Sequence, residues 1–448
     1  MNIIGWDRII PQLAVFFATI DRRPGGLSPF NLFLSGEPGS NKSEGALAIA
    51  ELCQLTVQLV DCSTLDDVSE LAGVVDLHAN RERGEAKLIE GDLLKAQILV
   101  LDEFLNTRKH VVPQFRLMLQ GKLVLLGKNV PVKIKAIVAA GNLSEDMKEG
   151  EAHVLDSPTA DRFAMLVRVP ALSELSVEHA AAIIEGRVDS PFAPAFLGAV
   201  QGIKSNFNQV ASKWSPHVTL YVQTLLANLK DTSSEFGGRR AKLLRLFVIA
   251  ALALCEAESQ RDRNETIWQV VHDSLSYHHL SGLEVNSVRM RQAHDLAMSV
   301  FSQTGDALTE ARIAAEPLLA NKVALVLKHT ASVSAITKAH VFGQVVASSD
   351  RELQFACRIV AGSPAFINEP ADIGELIRRG YLPPAEFWQG LEGWNTEEAA
   401  KWRNIGPEAR MAWWAQWMTG NYEGDTGRLL AAARKHLRSW DLDPVGKY

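Results

Sequence analysis

The sequence predicts an α/β fold in which helices cover both faces of a parallel sheet, followed by an all-α region. Up to about residue 170, short runs rich in Val, Ile and Leu alternate with helical stretches, which is typical of parallel α/β sheets. These runs do not alternate between apolar and polar residues, as expected for strands covered on both faces. From about residue 171 the pattern is helical.

Five apolar runs are predicted to form the strands of this sheet. They are Asn31–Leu34, Thr56–Asp61, Ile98–Asp102, Ala136–Ala140 and Ala164–Val169. A β-hairpin is predicted before the fourth strand, with arms Lys122–Leu126 and Val130–Ile134 and a turn at Gly127–Asn129. Because Pro131 lacks an N–H donor, the second arm should be an edge strand, so we expect the hairpin to protrude.

The helical part of the chain divides into two regions of different character. Ala241–Glu258 is apolar nearly all round and should be a helix buried in a bundle. Beyond about residue 301 the chain is expected to be mainly helical and Trp-rich, serving either core packing or partner binding. We therefore expect a nucleotide-binding core (1–170), a helical lid (171–300) and an accessory region (301–448). Seven tryptophans lie in the last region: Trp388, Trp394, Trp402, Trp413, Trp414, Trp417 and Trp440.

Composition restricts the class of protein. The 448 residues suffice for two to four domains, and the net charge of −6 offers no overall attraction for nucleic acid. The longest apolar run, Leu246–Cys255, is far shorter than the roughly 20 residues of a membrane span. No secretory signal is recognisable, and four scattered cysteines indicate reduced thiols. A cytoplasmic location is therefore expected.

A glycine-containing turn between the first predicted strand and the following helix predicts a phosphate-binding loop. Backbone N–H groups at a helix N-terminus attract phosphate, Lys42 would reach the β- and γ-phosphates, and Ser43 would bind Mg²⁺. Asn41 replaces the usual glycine, but Asn tolerates unusual backbone conformations. We expect ATP to be bound by Gly36, Glu37, Pro38, Gly39, Ser40, Asn41, Lys42, Ser43 and Glu44.

The apolar run Ile98–Leu101 is followed by Asp102 and Glu103. An aspartate at the end of a strand beside a phosphate loop would hold Mg²⁺ together with Ser43. The adjacent Glu103 would then polarise the attacking water. This pair, about sixty residues after the loop, predicts ATP hydrolysis.

Three further polar positions complete the predicted site. Asn142 ends the fourth strand, where a neutral amide could orient water against the γ-phosphate. Arg162, in the sequence Asp161-Arg162-Phe163, could reach the γ-phosphate of a neighbouring subunit and stabilise transition-state charge. Either Arg239 or Arg240, at the start of the buried helix, could fold back onto the nucleotide.

In their order, these motifs resemble the AAA+ superfamily, specifically its MoxR branch and the RavA-like members. The resemblance covers about residues 1–300 and includes the hairpin before the Asn142 strand. It implies an ATP-dependent ring, usually a hexamer, with ATP and Mg²⁺ between subunits. It also implies that Arg162 acts in trans, that Arg240 is the lid sensor and that Ile4 touches adenine. Family members remodel, assemble or activate protein clients, often with a von Willebrand A domain partner.

Two other functions remain open from the sequence. Asn41 could make the chain an ATP-gated scaffold with little turnover. Alternatively, the chain could be a nucleic-acid-directed AAA+ motor, although its acidic net charge and the lack of a recognisable DNA-binding motif make a nucleic-acid partner unlikely. The features that favour this second alternative are the lysines around the hairpin: Lys122, Lys128, Lys133 and Lys135.

Overall fold

The structure is a computed structural model, and its contacts divide the chain into two compact units, Met1–Phe301 and Ser302–Tyr448. For residues 73–75, 88–90, 123–125, 128–131 and 346 the structure describes the backbone but not the side chains. The described residues are 3–22, 30–67, 73–75, 88–90, 95–125, 128–131, 133–142, 155–185, 192–229, 236–283, 286–329, 331–350, 353, 356–357, 435–436 and 439.

The first unit contains the predicted parallel five-stranded sheet. Its strands are β1 (Phe30–Ser35), β2 (Val57–Asp61), β5 (Ile98–Asp102), β8 (Ala136–Gly141) and β9 (Met165–Arg168). The spatial order is β2-β5-β8-β1-β9, and every pair is parallel. All five predicted strands are confirmed, with ends that differ by one residue at most.

Two small antiparallel pairs lie outside this sheet. They are β3 (Gly73–Val75) with β4 (Leu88–Glu90), and β6 (Lys122–Leu125) with β7 (Lys128–Pro131). The predicted hairpin is confirmed, but its turn was placed wrongly, because Lys128 pairs with Leu125 and residues 128 and 129 belong to the second arm rather than to the turn. Only residues 126 and 127 separate the arms, and two-residue connections are favoured because their twist matches that of the strands.

Helices cover both faces of the main sheet, as predicted. Leu32 and Leu34 of β1 point into a core cluster shared with several helices, whereas Phe33 points into a second cluster with Phe104 and Phe115. The first unit contains α1 (Ile10–Thr19), α2 (Lys42–Leu52), α3 (Val112–Met118), α4 (Ser157–Ala160), α5 (Val177–Ile184), α6 (Phe192–Asn228), α7 (Gly238–Ala257), α8 (Arg263–Leu275) and α9 (Ser287–Met298).

The buried helix predicted at Ala241–Glu258 is α7, and it begins three residues earlier than expected. It packs against α6 and α1, and its central residues belong to the same core cluster as β1. The boundary expected at residue 170 therefore crosses one continuous apolar cluster, and it stays a prediction.

The second unit is helical where it is described. It contains α10 (Gly305–Ala315), α11 (Leu319–Lys328) and α12 (Ala335–Ala347). The tryptophans from Trp388 onward lie outside the described residues, so the predicted aromatic module stays a prediction. Within the described part of the chain, no helix is long and apolar enough to span a membrane.

Candidate functional site

The phosphate loop meets three of the predicted site residues, Asp102, Glu103 and Asn142, at one edge of the sheet. Because β1, β5 and β8 are parallel, their carboxyl ends lie side by side. A cavity of about 310 Å³ opens at this edge. It is lined by Pro38, Gly39, Asn41, Lys42, Ser43, Glu44, Asp102, Glu103, Leu105, Asn106, Gly141 and Asn142.

The phosphate loop joins β1 to the N-terminus of α2. Asn41 is the N-cap and lies in the left-handed region, with φ 54° and ψ 34°. Asn enters this region more readily than most residues, so the predicted tolerance at this position is confirmed. Gly39, with φ 78°, is the loop's second residue of positive φ. The N-terminus of an eleven-residue helix therefore faces the cavity, where its dipole favours anions.

Lys42 is held against the loop. Its Nζ donates to the carbonyls of Gly36 (3.1 Å) and Glu37 (2.8 Å) and to Ser40 Oγ (3.2 Å). Burial lowers the pKa of Lys42, and the negative charge of Asp102 partly opposes this effect. The ammonium group is thus positioned in the cavity wall, close to a carboxylate.

Asp102 is the last residue of β5, and Glu103 follows it in a constrained geometry. Glu103 has φ 49°, and its backbone N–H donates to Asp102 Oδ1 at 2.9 Å. Asn106 Nδ2 donates to Glu103 Oε2 at 3.2 Å, so this amide contacts the glutamate carboxylate. Left-handed conformations of non-glycine residues persist only where surrounding contacts hold them, and they cluster at functional sites.

A second cavity of about 120 Å³ lies behind the loop. It places Ile4 beside Trp6, and the loop residues Glu37 to Asn41 form part of its wall. Trp6 can lie here because Gly45 has no side chain: a Cβ there would come within 2.3 Å of the indole ring. Sequence reasoning missed the other apolar lining residues, which come from distant segments: Pro170, Ala171, Leu172, Leu175 and Ile183.

Arg162 lies at the opposite edge of the sheet. Its backbone carbonyl accepts a hydrogen bond from Asn31 Nδ2 (2.9 Å), at the amino end of β1, whereas the phosphate loop follows the carboxyl end. Five residues from Asn31 to Gly36 span about 16 Å at roughly 3.3 Å per residue. Arg162 is not among the residues that line the first cavity.

The two candidate lid arginines have different environments. Arg240 is completely buried, and its guanidinium binds backbone carbonyls of segment 161–164 and Ser274. Arg239 is partly exposed and pairs with Asp161 at 3.0 Å. Neither side chain lines the cavity of its own subunit. The sensor role predicted for Arg240 therefore stays a prediction. The observed contacts of this buried residue hold the main chain of segment 161–164.

The lysines near the hairpin differ in their described contacts. Lys135 pairs with Asp21 at 3.0 Å and precedes β8, while Lys122 and Lys133 are exposed. For Lys128 only the backbone is described. Where side chains are described, this arrangement does not strengthen the nucleic-acid alternative.

The site residues fit the expected cofactors. A helix N-terminus and the Lys42 ammonium are suited to phosphates, and Ser43 with Asp102 offers the oxygen ligands that Mg²⁺ prefers. When bound, ATP supplies the phosphoanhydride bond and Mg²⁺ neutralises phosphate charge. The chain would contribute Lys42 for binding, Glu103 to orient and deprotonate water, and Asn142 to hold that water.

Comparison with known families supports this interpretation. Residues 31–163 match the model of the AAA domain, dynein-related subfamily. This segment begins on β1, ends at Phe163 and includes both the cavity residues and Arg162. The matched segment is therefore an AAA+ ATPase domain, and the chain is an ATP hydrolase.

Two solved structures are similar at low sequence identity. A candidate ATPase from Cytophaga hutchinsonii is 15% identical, with a TM-score of 0.43, and the match covers 67% of this chain and 90% of that one. A full-length MCM homolog from Methanopyrus kandleri is 13% identical, with a TM-score of 0.33, covering 66% and 56%. Both TM-scores are too low to add to the family match. A search of curated proteins found no match.

Proposed function

We propose that this chain is a MoxR-like AAA+ ATPase that hydrolyses ATP in a homo-oligomeric ring, most simply a hexamer, to remodel or activate a protein client. The observation that carries the proposal is the separation of Arg162 from the cavity along β1. An arginine at the far edge of the sheet cannot complete the site of its own subunit. It can complete the site of a neighbour whose cavity faces it.

Each residue then has a defined task. Lys42 binds the β- and γ-phosphates, while Ser43 and Asp102 hold Mg²⁺. Glu103 takes the proton of the attacking water, and Asn142 orients that water. Arg162 of the neighbour stabilises the charge that develops in the transition state, with the exposed Arg239 beside it as the better-placed lid sensor. The apolar cavity at Ile4 and Trp6 receives the base.

The client would be reached by parts of the chain outside the site. The β6–β7 hairpin forms its own two-stranded sheet, and we assign it to movement driven by the nucleotide cycle. The accessory region 301–448 is assigned to contact with the client or with a von Willebrand A domain partner.

Turnover at several protein concentrations tests the ring. We expect specific activity to rise with concentration and to disappear in Glu103→Gln while ATP stays bound. Tight ATP binding without turnover at any concentration would instead favour the gated scaffold.

Mixing two inactive variants tests action in trans. Lys42→Ala loses its own ATP but keeps Arg162. Arg162→Ala binds ATP but lacks the arginine that acts on the neighbour's nucleotide, which we call the finger. Mixed together, they should regain at least tenfold activity over either alone, because a Lys42→Ala subunit can complete its neighbour's site. No recovery in rings that contain both variants would overturn the trans role.

A further inference from the structure

The backbone that carries Arg162 is held by buried side chains from two sources. The carbonyls of Asp161, Phe163 and Ala164 accept from the Arg240 guanidinium at 3.2, 2.9 and 3.0 Å. The carbonyl of Arg162 itself accepts from Asn31 Nδ2 at 2.9 Å. Every carbonyl of the four-residue segment is thus fixed by a side chain of α7 or β1.

Both terminal nitrogens of the Arg240 guanidinium donate to this segment, whereas Nε has no hydrogen-bond partner within the described part of the chain. Arg240 is 0% exposed, and it donates a further bond to the carbonyl of Ser274 at 2.7 Å. The guanidinium carbon lies 3.9 Å from the centre of the Tyr277 ring, and Nη2 lies 3.6 Å from Asp161 Oδ1. Ser274 Oγ also donates to the carbonyl of Ala164, at 3.0 Å.

Burying a guanidinium is costly unless its donors are satisfied. Here the compensation comes chiefly from main-chain carbonyls of one short segment, which a planar group with several donors in a fixed fork can bind simultaneously. A well-packed apolar side chain could fill the same volume, but it could not fix the position of these carbonyls.

We propose that Arg240 is a positioning residue for Arg162: from the helical region of its own subunit, it fixes the main chain of the finger that acts on the neighbour's nucleotide. This inference rests on the proposed trans-acting role of Arg162. In this role Arg240 acts in the donor subunit, which supplies Arg162. A sensor that touches its own nucleotide would instead act in the acceptor subunit, which binds the ATP.

The experiment introduces Arg240→Met into only one of the two mixed variants at a time. In the pair Lys42→Ala plus Arg162→Ala, the first variant donates the finger and the second binds ATP. With Arg240→Met added to the donor, we expect the recovered turnover to fall at least tenfold. With the same change added to the acceptor, it should stay within twofold.

The matched control is Arg245→Met, which removes an exposed guanidinium from the same helix. It should leave recovery unchanged on either side. Arg240→Lys in the donor should restore part of the lost turnover, because an ammonium keeps the charge but cannot bind all the carbonyls in the same geometry.

Each other outcome overturns the inference. Loss only on the acceptor side would make Arg240 a sensor of its own nucleotide. Loss of turnover with the change in either subunit would make Arg240 a general support of the fold. So would a lowered melting temperature or a failure of the variant to form rings. Full recovery on both sides would show that the finger does not need it. If the parent pair itself recovers no turnover, the trans role of Arg162 fails first, and this inference falls with it.

Discussion

The two ends of β1 are built in different ways. At the carboxyl end, the loop contains a left-handed Asn41, and polar side chains face an open cavity. At the amino end, the buried side chains of Asn31 and Arg240 hold the main chain of segment 161–164. The first construction is suited to ligands that bind and leave. The second is suited to presenting Arg162 in a fixed position.

The strongest way to break this comparison is to remove the finger. Arg162→Ala should reduce the ATP turnover number by about 10³- to 10⁵-fold, because transition-state charge loses its partner. ATP affinity should change less than about twofold, since the phosphate loop is untouched. Steady-state turnover and equilibrium nucleotide binding measure the two effects.

Arg168→Ala is the matched control for the finger. This residue is exposed, lies on β9 and pairs with Glu174, so its loss should leave turnover unchanged. A large loss of ATP affinity in Arg162→Ala would contradict the separation of the two ends.

At the other end of β1, Glu103→Gln should reduce turnover by about 10²- to 10⁴-fold, the range of a lost general base. The amide keeps the size of the side chain and can still contact Asn106, so ATP should remain bound. Single-turnover hydrolysis in preformed rings separates chemistry from binding.

Glu51→Gln on α2 provides the control, because Glu51 is exposed and does not line the cavity. If Glu103→Gln hydrolysed ATP at the normal rate, the base would have to be sought elsewhere at this edge.

Acid should destabilise the folded protein near Arg240, at the amino end of β1, through His278. This side chain is buried beside Tyr277 and Phe236, and burial, followed by the positive charge of Arg240, lowers its pKa from 6.5 to about 4. The folded protein therefore holds His278 neutral, whereas the unfolded chain takes up a proton below pH 6.5. The contribution to stability is complete above that pH and is lost as the pH falls to 4, by up to about 3 kcal/mol.

Thermal melts of the wild type and His278→Phe between pH 7 and pH 4 test this expectation. The variant should lose part of the acid sensitivity, while His340→Phe, at an exposed position of α12, should keep it. The buried His294 also has a pKa lowered to about 4, so acid sensitivity should not vanish completely. Identical pH profiles for wild type and His278→Phe would remove the role of His278.

The smallest effect is expected in the loop. Asn41→Gly should change ATP affinity less than about twofold, because glycine adopts φ 54° freely. Asn41→Val should weaken binding roughly tenfold, about 1.4 kcal/mol, because a branched side chain disfavours this conformation. Binding of a fluorescent ATP analogue measures both. Equal affinities for the two variants would show that the loop does not depend on the left-handed residue.

The sequence predicted the nucleotide end better than the finger end, for physical reasons. The phosphate loop and Asp102 follow apolar strands directly, so local patterns place them at one edge of the sheet. The burial of Arg240 depends on carbonyls about 76 to 79 residues away, and backbone carbonyls leave no trace in residue identity. The turn of the hairpin was placed wrongly because the glycine and asparagine at 127 and 129 favour a turn there, whereas residues 128 and 129 pair as part of the second arm.

Strand β1 also has a mechanical consequence. In a ring, its two ends would serve different nucleotides, one in its own subunit and one in the next. Strand β1 is hydrogen-bonded to β8 on one side and to β9 on the other, so it resists a change in length. A displacement at one end of the strand should therefore reach the other end undiminished. Cooperativity around the ring would then be set by the loops and subunit joints, and substitutions inside the strand would alter stability before they altered communication.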